Sequence, residues 1–221
     1  HINLGTGVVS LPYHHPFMVA NRMVQLDHMT RGRVMFGVGP GALPTDAYMM
    51  GIDPTTQRAK MDEALGIILR LFTELEPITY KADWFELNEA LLQLRPYQKP
   101  HMPIAVASIQ SPSGVQLAGK HGASVLTITV PRDPLADRAD YGKLWDIAEE
   151  SAEKHGQVVK REDWRLVVPV HLAETREKAR EQAREGAAGF LRDYTEGTNG
   201  RKPVFDGPRD QVVDWMSDNG F

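Results

Sequence analysis

The sequence lacks cysteine, blocks of like charge and long apolar runs, and each absence excludes a class of protein. Without cysteine, the 221 residues hold no disulfide framework, no thiolate metal site and no cysteine nucleophile. Lysine and arginine number 25 against 29 acidic residues, and these charges are scattered, which argues against nucleic-acid binding. No apolar run approaches the roughly 20 residues of a membrane span, and no signal-peptide pattern opens the chain. We therefore expect a soluble, cytoplasmic protein.

The sequence does contain a regular alternation of apolar strands and amphipathic helices. Short apolar runs predict strands over residues 2–11, 33–38, 103–108, 124–130 and 164–172. Apolar residues three or four apart, with helix start and stop signals, predict helices over residues 16–29, 57–76, 112–121, 141–155, 175–194 and 209–217. Such alternation predicts a parallel sheet with right-handed crossovers, in either a (β/α) barrel or a doubly wound sheet.

One segment departs from the alternation. Residues 84–87 and 91–94 predict two short paired strands around Asn88 and Glu89. A barrel needs eight strands and usually ~250 residues. The barrel interpretation therefore requires strands before and after the sequence given, and we expect this chain to be a fragment.

Ligands of parallel α/β sheets bind at the carboxyl ends of the strands, so the residues that follow each strand are candidate site residues. The first predicted strand runs directly into Tyr13, His14 and His15. Imidazoles at this place could move a proton, contact a cofactor or bind a metal. No further ligand with metal-site spacing lies nearby, so a metal is disfavoured. The alternative is that His14 caps a loop and His15 orients the turn before Pro16.

The second predicted strand ends in the glycine-rich run Gly37-Val38-Gly39-Pro40-Gly41. The missing side chains would let a planar ring or a phosphate approach the backbone closely. The spacing is not that of the dinucleotide-binding motif, because a loop with prolines follows instead of a helix and no acidic residue lies at the expected distance. The alternative is a tight turn out of the strand.

The third candidate place follows the strand 103–108. Ala107 and Ser108 lead through Ser111 and Ser113 into the start of a helix. The free N–H groups and the dipole of a helix N-terminus favour an anion, and serine hydroxyls could add donors to a phosphate. Ordinary N-capping by Ser111 would explain one of these serines but not all three.

Three segments, GTGVVSLPYHHP, LDHMTRGRVMFGVGPG and YMMGID, together resemble the luciferase-like, flavin-dependent monooxygenases. The similarity extends through PIAVAS and VVPVHLAETREKARE, and so covers essentially the whole chain. The resemblance implies a (β/α)8 TIM-type barrel. Residues 1–221 would form a single barrel domain, truncated at both ends, which holds about five of the eight strands, the third to the seventh.

The resemblance also implies a site for FMN over the carboxyl ends of these strands. A cis peptide bond between Gly7 and Val8 would lie against the isoalloxazine ring. Phosphate contacts would come from Gly39, Pro40 and Gly41 after one strand and from Ser108 after another, and Ala107 would also bind the cofactor. Tyr13, His14 and His15 would contact flavin or substrate. The family's catalytic histidine would precede His1, so no catalytic residue can be named, and Pro40 replaces a phosphate-binding arginine, so the charge of the phosphate must be met elsewhere.

The activity implied by the resemblance is oxygenation of a small apolar organic substrate. A separate reductase would deliver reduced FMN, which would react with O2, and the protein would be a homodimer. Two alternatives stay open. One is a deazaflavin-dependent oxidoreductase of the same barrel, which transfers hydride without oxygen. The other is a non-catalytic partner subunit, in which the helix 16–29 would serve mainly as a dimer surface.

Overall fold

The computed structural model describes residues 2–109, 112–128 and 141–219. These residues fall into two compact units. The first comprises His1–Leu126 with Gly142–Arg165, and the second comprises Thr127–Tyr141 with Leu166–Phe221. The single barrel domain over residues 1–221 stays a prediction.

Strands and helices alternate through most of the described residues. The strands are β1 Leu4–Gly5, β2 Val9–Ser10, β3 Val34–Gly39, β4 Ile78–Lys81, β5 Glu86–Ala90, β6 Ile104–Ala107, β7 Ser124–Ile128 and β8 Arg165–Val167. The helices are α1 Pro16–Thr30, α2 Pro44–Met49, α3 Gln57–Thr73, α4 Pro112–His121, α5 Tyr141–Lys154, α6 Arg176–Ala188 and α7 Val212–Asp218. No helix of the described ranges has the length and apolar content that a membrane span requires.

A parallel sheet forms the centre of the first unit. β1 and β2 both pair with β3, β3 pairs with β6, and β6 pairs with β7, all in parallel. On β3, Val34, Phe36 and Val38 are buried on one face and Gly37 and Gly39 on the other, as expected for a central parallel strand covered on both faces. The predicted parallel sheet is confirmed. The first predicted strand, however, is two short strands, and α2 lies where the sequence predicted a loop.

The helix α3 carries the apolar stripe that the sequence predicts. Its buried residues include Met61, Ala64, Leu65, Ile68 and Phe72. Phe72 meets Phe36 of β3 edge to face, with ring centroids 6.5 Å apart. The helix ends at Thr73, short of its predicted end. There the guanidinium of Arg95 donates to the Leu71 and Phe72 carbonyls at 3.4 and 2.8 Å, which satisfies acceptors that the helix itself leaves without partners.

A hairpin formed by β4 and β5 follows α3, and its position differs from the prediction. The sequence predicted strands at 84–87 and 91–94, whereas the antiparallel strands lie earlier, at Ile78–Lys81 and Glu86–Ala90. The turn therefore falls at residues 82–85, which include the first two residues of the first predicted strand. The hairpin itself is confirmed, and its strand positions were wrong.

Contacts with α3 explain where the hairpin turns. The Glu63 carboxylate accepts hydrogen bonds from the Tyr80 hydroxyl at 2.9 Å and from the Trp84 indole N–H at 2.7 Å. The buried ring of Phe85 stacks on Tyr80 and meets Trp84 edge to face, with centroids 5.7 and 4.8 Å apart. Glu63 lies 17 and 21 residues away from its two donors. The alternation of residues within the hairpin therefore cannot predict these hydrogen bonds.

A charged cluster joins α3 to the last two residues of α4. Lys120 Nζ lies 2.9 and 2.7 Å from the two carboxylate oxygens of Asp62, and His121 Nε2 lies 2.8 Å from Asp62 Oδ1. The hydrogen bond with His121, aided by Lys120 and opposed by burial, lowers the pKa of Asp62 to about 2. The cluster lies at the carboxyl end of α4, whereas the residues that follow β6 lie near its amino end. It therefore joins α3 to α4 at a distance from the candidate site residues.

The second unit is built on α6 and α7. A π-helical segment, Gly189–Thr198, continues α6, so the predicted helix 175–194 changes its hydrogen-bonding pattern at Gly189. The core of the unit contains Ala188, Leu191, Val212 and Met216. Arg180 of α6 binds Asp214 and Asp218 of α7 at 3.3 and 2.8 Å, which ties the two helices together outside that core.

Candidate functional site

Between β1 and β2, the chain contains one residue more than the neighbouring strand β3. Gly5 pairs with Met35, but Val9 pairs with Val38, so the offset between partners falls by one across residues 6–8. An extra residue of this kind is a β-bulge, which takes the backbone out of the hydrogen-bonded ladder. The bulge lies where the resemblance implies the flavin ring.

The side chain of Thr6 replaces the ladder hydrogen bonds that the bulge removes. Thr6 Oγ1 donates to the Gly37 carbonyl at 2.8 Å and accepts from the Gly37 N–H at 2.9 Å. Gly37 is buried, and buried backbone groups need such partners. The next peptide bond, between Gly7 and Val8, is cis, at the position that the resemblance implies. Gly7 is exposed and Val8 is half-buried, so the bulge presents the backbone of Gly7 at the surface of the unit.

The glycines of β3 make room for the bulge. A Cβ at Gly37 would collide with the Thr6 carbonyl, and one at Gly39 would lie 2.6 Å from Val8 Cγ2 and 3.6 Å from Ala107 Cβ. Protein atoms therefore take the space that the sequence interpretation assigned to a ligand. Val8, Gly39 and Ala107 therefore lie side by side, and we call these three residues the floor of the candidate site. Gly39 and Ala107 are the last residues of β3 and β6, and Val8 directly precedes β2.

Ser108 follows β6 and lies against the first turn of α4. Its side chain is buried, and its N–H donates to the Leu126 carbonyl at 2.9 Å. A Cβ at Gly114 would come within 2.7 Å of Ser108 Cβ, so the glycine allows the helix to approach this closely. The first turn of a helix has N–H groups without intrahelical partners, and Ser108 stands beside them. Ser113 lies in the same turn, whereas Ser111 lies outside the described residues.

Tyr13 packs against the residues that follow β3. Gln57, the buried first residue of α3, donates from Nε2 to Tyr13 Oη at 2.7 Å. Gly41 has a positive φ of 90°, and a Cβ there would collide with the Tyr13 phenol. Pro40, between Gly39 and Gly41, is half-buried. The tyrosine and the glycine-rich turn thus form one contact at the carboxyl end of the sheet.

The two histidines shape the start of α1. His14 is exposed, and its N–H donates to the Leu11 carbonyl at 3.1 Å. His15 precedes the first residue of α1, its Nε2 lies 3.4 Å from the Glu86 carbonyl, and its ring meets Phe85 edge to face. His14 thus closes the turn through its backbone, in keeping with the alternative that it caps a loop, whereas the side chain of His15 contacts the hairpin. Among the described residues, no three histidine or acidic side chains are grouped as metal ligands.

The structure brings most of the predicted residues to one edge of the sheet. Ser10 pairs with Gly39, and Val38 pairs with Val106, so the ends of β2, β3 and β6 lie side by side. Sequence reasoning missed two residues that organise this edge. Thr6 lies between two glycines, and Gln57 is the first residue of an amphipathic helix. The sequence pattern at these positions does not indicate that Thr6 binds Gly37 or that Gln57 binds Tyr13.

Comparison with known proteins identifies the family. Residues 1–213 match the luciferase-like monooxygenase family. The chain belongs to this family. It is 48% identical over 193 residues to 4-hydroxyprotoasukamycin monooxygenase of Streptomyces nodosus subsp. asukaensis, covering 87% of this chain and 52% of that protein. It is 43% identical over 223 residues to limonene 1,2-monooxygenase of Rhodococcus erythropolis, covering 100% and 55%. The chain thus spans about half the length of these curated relatives.

Solved structures confirm the predicted fold class, a TIM-type barrel that is incomplete here. The oxygenating constituent of 3,6-diketocamphane monooxygenase from Pseudomonas putida, a type II Baeyer-Villiger enzyme in complex with FMN, has a TM-score of 0.73 at 22% identity, covering 100% of this chain and 65% of that one. An F420-dependent secondary alcohol dehydrogenase with an F420-acetone adduct has a TM-score of 0.67 at 21% identity, covering 97% and 62%. At these identities the likeness extends to the fold alone.

Proposed function

We propose that this chain is the flavin-binding part of a monooxygenase that uses reduced FMN and O2 to oxygenate a small apolar organic substrate. The observation that carries the proposal is one edge of the sheet, where the bulge of residues 6–8 lies beside Gly39 and Ala107 and where Ser108 lies against the first turn of α4. The relatives named above, which are monooxygenases, support the reaction class. When bound, the reduced flavin supplies the electrons that activate oxygen.

The residues present at this edge fit FMN in two places. The floor of Val8, Gly39 and Ala107 consists of small residues beside the exposed backbone of Gly7, which a planar ring could approach closely. Ser108 and the first turn of α4 offer neutral hydrogen-bond donors and a positive helix end, which suit a phosphate. Residues 37–41 and 107–114 contain no lysine or arginine. The charge that balances the phosphate therefore comes from outside these two segments.

Cofactor use by the intact protein tests the proposal. We expect the intact protein to change the rate at which chemically reduced FMN consumes O2, relative to the same flavin without protein, and to cause no O2 consumption with a reduced deazaflavin. The second candidate, a deazaflavin-dependent oxidoreductase, is favoured by the likeness to the F420-dependent alcohol dehydrogenase, because coenzyme F420 is a deazaflavin. Hydride transfer from reduced deazaflavin without oxygen uptake would establish this second function. Absence of any flavin binding would instead identify a non-catalytic partner subunit.

Replacing Ser108 tests the phosphate end of the site. Loss of one hydrogen bond to a charged group weakens binding by about 1.5–3 kcal/mol, or tenfold and more in Kd. We expect Ser108→Ala to raise the Kd for FMN by that factor and to leave riboflavin binding nearly unchanged. Ser124→Ala is the control, because Ser124 begins the next strand, β7, and its hydroxyl donates to the Ile104 carbonyl at 2.9 Å. Equal losses for FMN and riboflavin would refute the phosphate contact.

The proposal includes partners that the sequence resemblance implies. A reductase would deliver reduced flavin, and a second copy of the chain would form a homodimer. The large apolar residues exposed on α1, namely Met18, Leu26 and Met29, support a protein interface there. Sedimentation of the intact protein tests the dimer, and flavin turnover with and without an added reductase tests the delivery step.

A further inference from the structure

Tyr13, Gln57 and Gly41 come from three separate segments and meet beyond the end of β3. Tyr13 closes the short 3-10 turn after β2, Gln57 opens α3, and Gly41 lies two residues past β3. Gln57 Nε2 donates to Tyr13 Oη at 2.7 Å. A Cβ at Gly41 would collide with the phenol and lie 2.9 Å from Gln57 Nε2, so the phenol oxygen rests directly on the glycine backbone.

In this contact the hydroxyl of Tyr13 accepts a hydrogen bond but does not donate one. A tyrosine hydroxyl both donates and accepts, and here its oxygen accepts from the Gln57 amide. Within residues 2–109, 112–128 and 141–219, the phenol proton of Tyr13 has no acceptor. Gln57 is only 6% exposed, so its amide is held in place by packing and fixes the direction in which the phenol proton points. The half-exposed phenol can therefore donate to a ligand.

The unused donor lies close to the proposed flavin site. Gly39 contacts Val8 and Ala107 in the floor, and Gly41 is two residues farther along the chain, at most about 7 Å away. Tyr13 Oη rests on Gly41, and Ser108 follows Ala107 directly. A single flavin that reaches from Ser108 across Gly39 would thus pass beside the phenol. Ser108 and the N-terminus of α4 are the part of this edge that suits the phosphate, and the phenol on Gly41 is a donor separate from them.

We propose that the Tyr13 hydroxyl donates a hydrogen bond to an oxygen of the flavin other than its phosphate, with Gln57 as the residue that positions it. This inference rests on the proposed flavin-dependent function. It specifies, for the contact that the resemblance implies at Tyr13, the donor atom, the residue that positions it and the part of the flavin that accepts. The acceptor is a ring carbonyl or a ribityl hydroxyl. Both occur in FMN and in riboflavin, whereas a phosphate acceptor occurs in FMN alone.

Titration of the intact protein with FMN and with riboflavin, followed by quenching of flavin fluorescence, tests the inference. We expect Tyr13→Phe to raise both Kd values by roughly tenfold and by equal factors, the effect of one lost hydrogen bond. Tyr194→Phe is the matched control, because Tyr194 is an exposed tyrosine of the second unit, and it should leave both values unchanged. Far-ultraviolet circular dichroism verifies that each variant is folded.

A second variant separates positioning from packing. In Gln57→Glu the carboxylate accepts the phenol proton and withdraws it from the ligand, so we expect losses equal to those of Tyr13→Phe, relieved as the pH falls and the carboxyl is protonated. An ionised carboxylate at this buried position would also disturb the fold in a pH-dependent way. The double variant Tyr13→Phe with Gln57→Glu separates the two effects: if Gln57 acts by positioning the phenol, Gln57→Glu lowers affinity no further once the hydroxyl is gone, whereas a structural effect lowers it in both backgrounds. Unchanged Kd values in Tyr13→Phe, or a loss for FMN alone, would overturn the inference. Failure of the wild-type protein to bind either flavin would instead overturn the proposed function.

Discussion

The bulge between β1 and β2 depends on a single hydroxyl group, which makes Thr6→Val an informative change. Valine keeps the shape of threonine but cannot hydrogen-bond, so the N–H and carbonyl of buried Gly37 both lose their partner. A buried polar group left without a partner costs about 1–3 kcal/mol. We therefore expect Thr6→Val to reduce the free energy of unfolding by about 2–4 kcal/mol.

Urea unfolding of the intact protein, monitored by circular dichroism and analysed by linear extrapolation, measures this loss. Thr6→Ser keeps the hydroxyl and removes one methyl group, so it should cost no more than about 0.8 kcal/mol. Thr73→Val is the second control. Thr73 is exposed at the end of α3 and donates only to the Leu69 carbonyl, so its effect should stay within about 0.5 kcal/mol.

The comparison of Thr6→Val with its controls can refute the reasoning. If Thr6→Val were no more destabilising than Thr73→Val, Gly37 would have found other partners and the hydroxyl would not hold the bulge. If Thr6→Ser were as damaging as Thr6→Val, the methyl contact would be the stabilising feature. When the hydroxyl does hold the bulge, FMN binding should weaken in Thr6→Val and persist in Thr6→Ser, because the bulge presents the backbone proposed to contact the ring.

Two further predictions concern the outer contacts of α3. Asp62→Asn should reduce the free energy of unfolding at neutral pH by about 1 kcal/mol. This is less than the pKa shift alone would give, because the carboxylate is one-third exposed and solvent screens its charge. The folded pKa lies below the ordinary value of 3.8, so this difference, read from urea midpoints, should be present above pH 4 and vanish as the pH falls towards 2. A constant difference would refute the stabilising role of the Asp62 carboxylate in its contacts with His121 and Lys120. Glu63→Ala leaves the Tyr80 and Trp84 donors without their acceptor, so limited proteolysis should cleave the hairpin faster than in wild type, and unchanged cleavage would show that packing alone holds it.

The parts of the fold that could be predicted from sequence are those fixed by local pattern. β3 is buried on both faces and reads as an unbroken apolar run, and α4 has the predicted bounds, Pro112–His121. The elements that differ depend on distant partners. The bulge divides the first strand because Thr6 binds Gly37, 31 residues away, and the hairpin turns where Glu63 meets Trp84. Neither contact leaves a periodic trace in the sequence.

The candidate site shows the same division between local pattern and distant contact. The glycine-rich run at the end of β3 lies at the edge proposed for the flavin, but its glycines make room for Thr6, Val8 and Tyr13. Substitutions at Gly39 or Gly41 would therefore disturb packing and ligand binding together, and could not separate the two. The hydroxyls of Ser108 and Tyr13 offer that separation, because each can be removed with little change in volume. Affinity for FMN relative to riboflavin then assigns the two hydroxyls to different parts of the proposed flavin, the phosphate for Ser108 and the remainder for Tyr13.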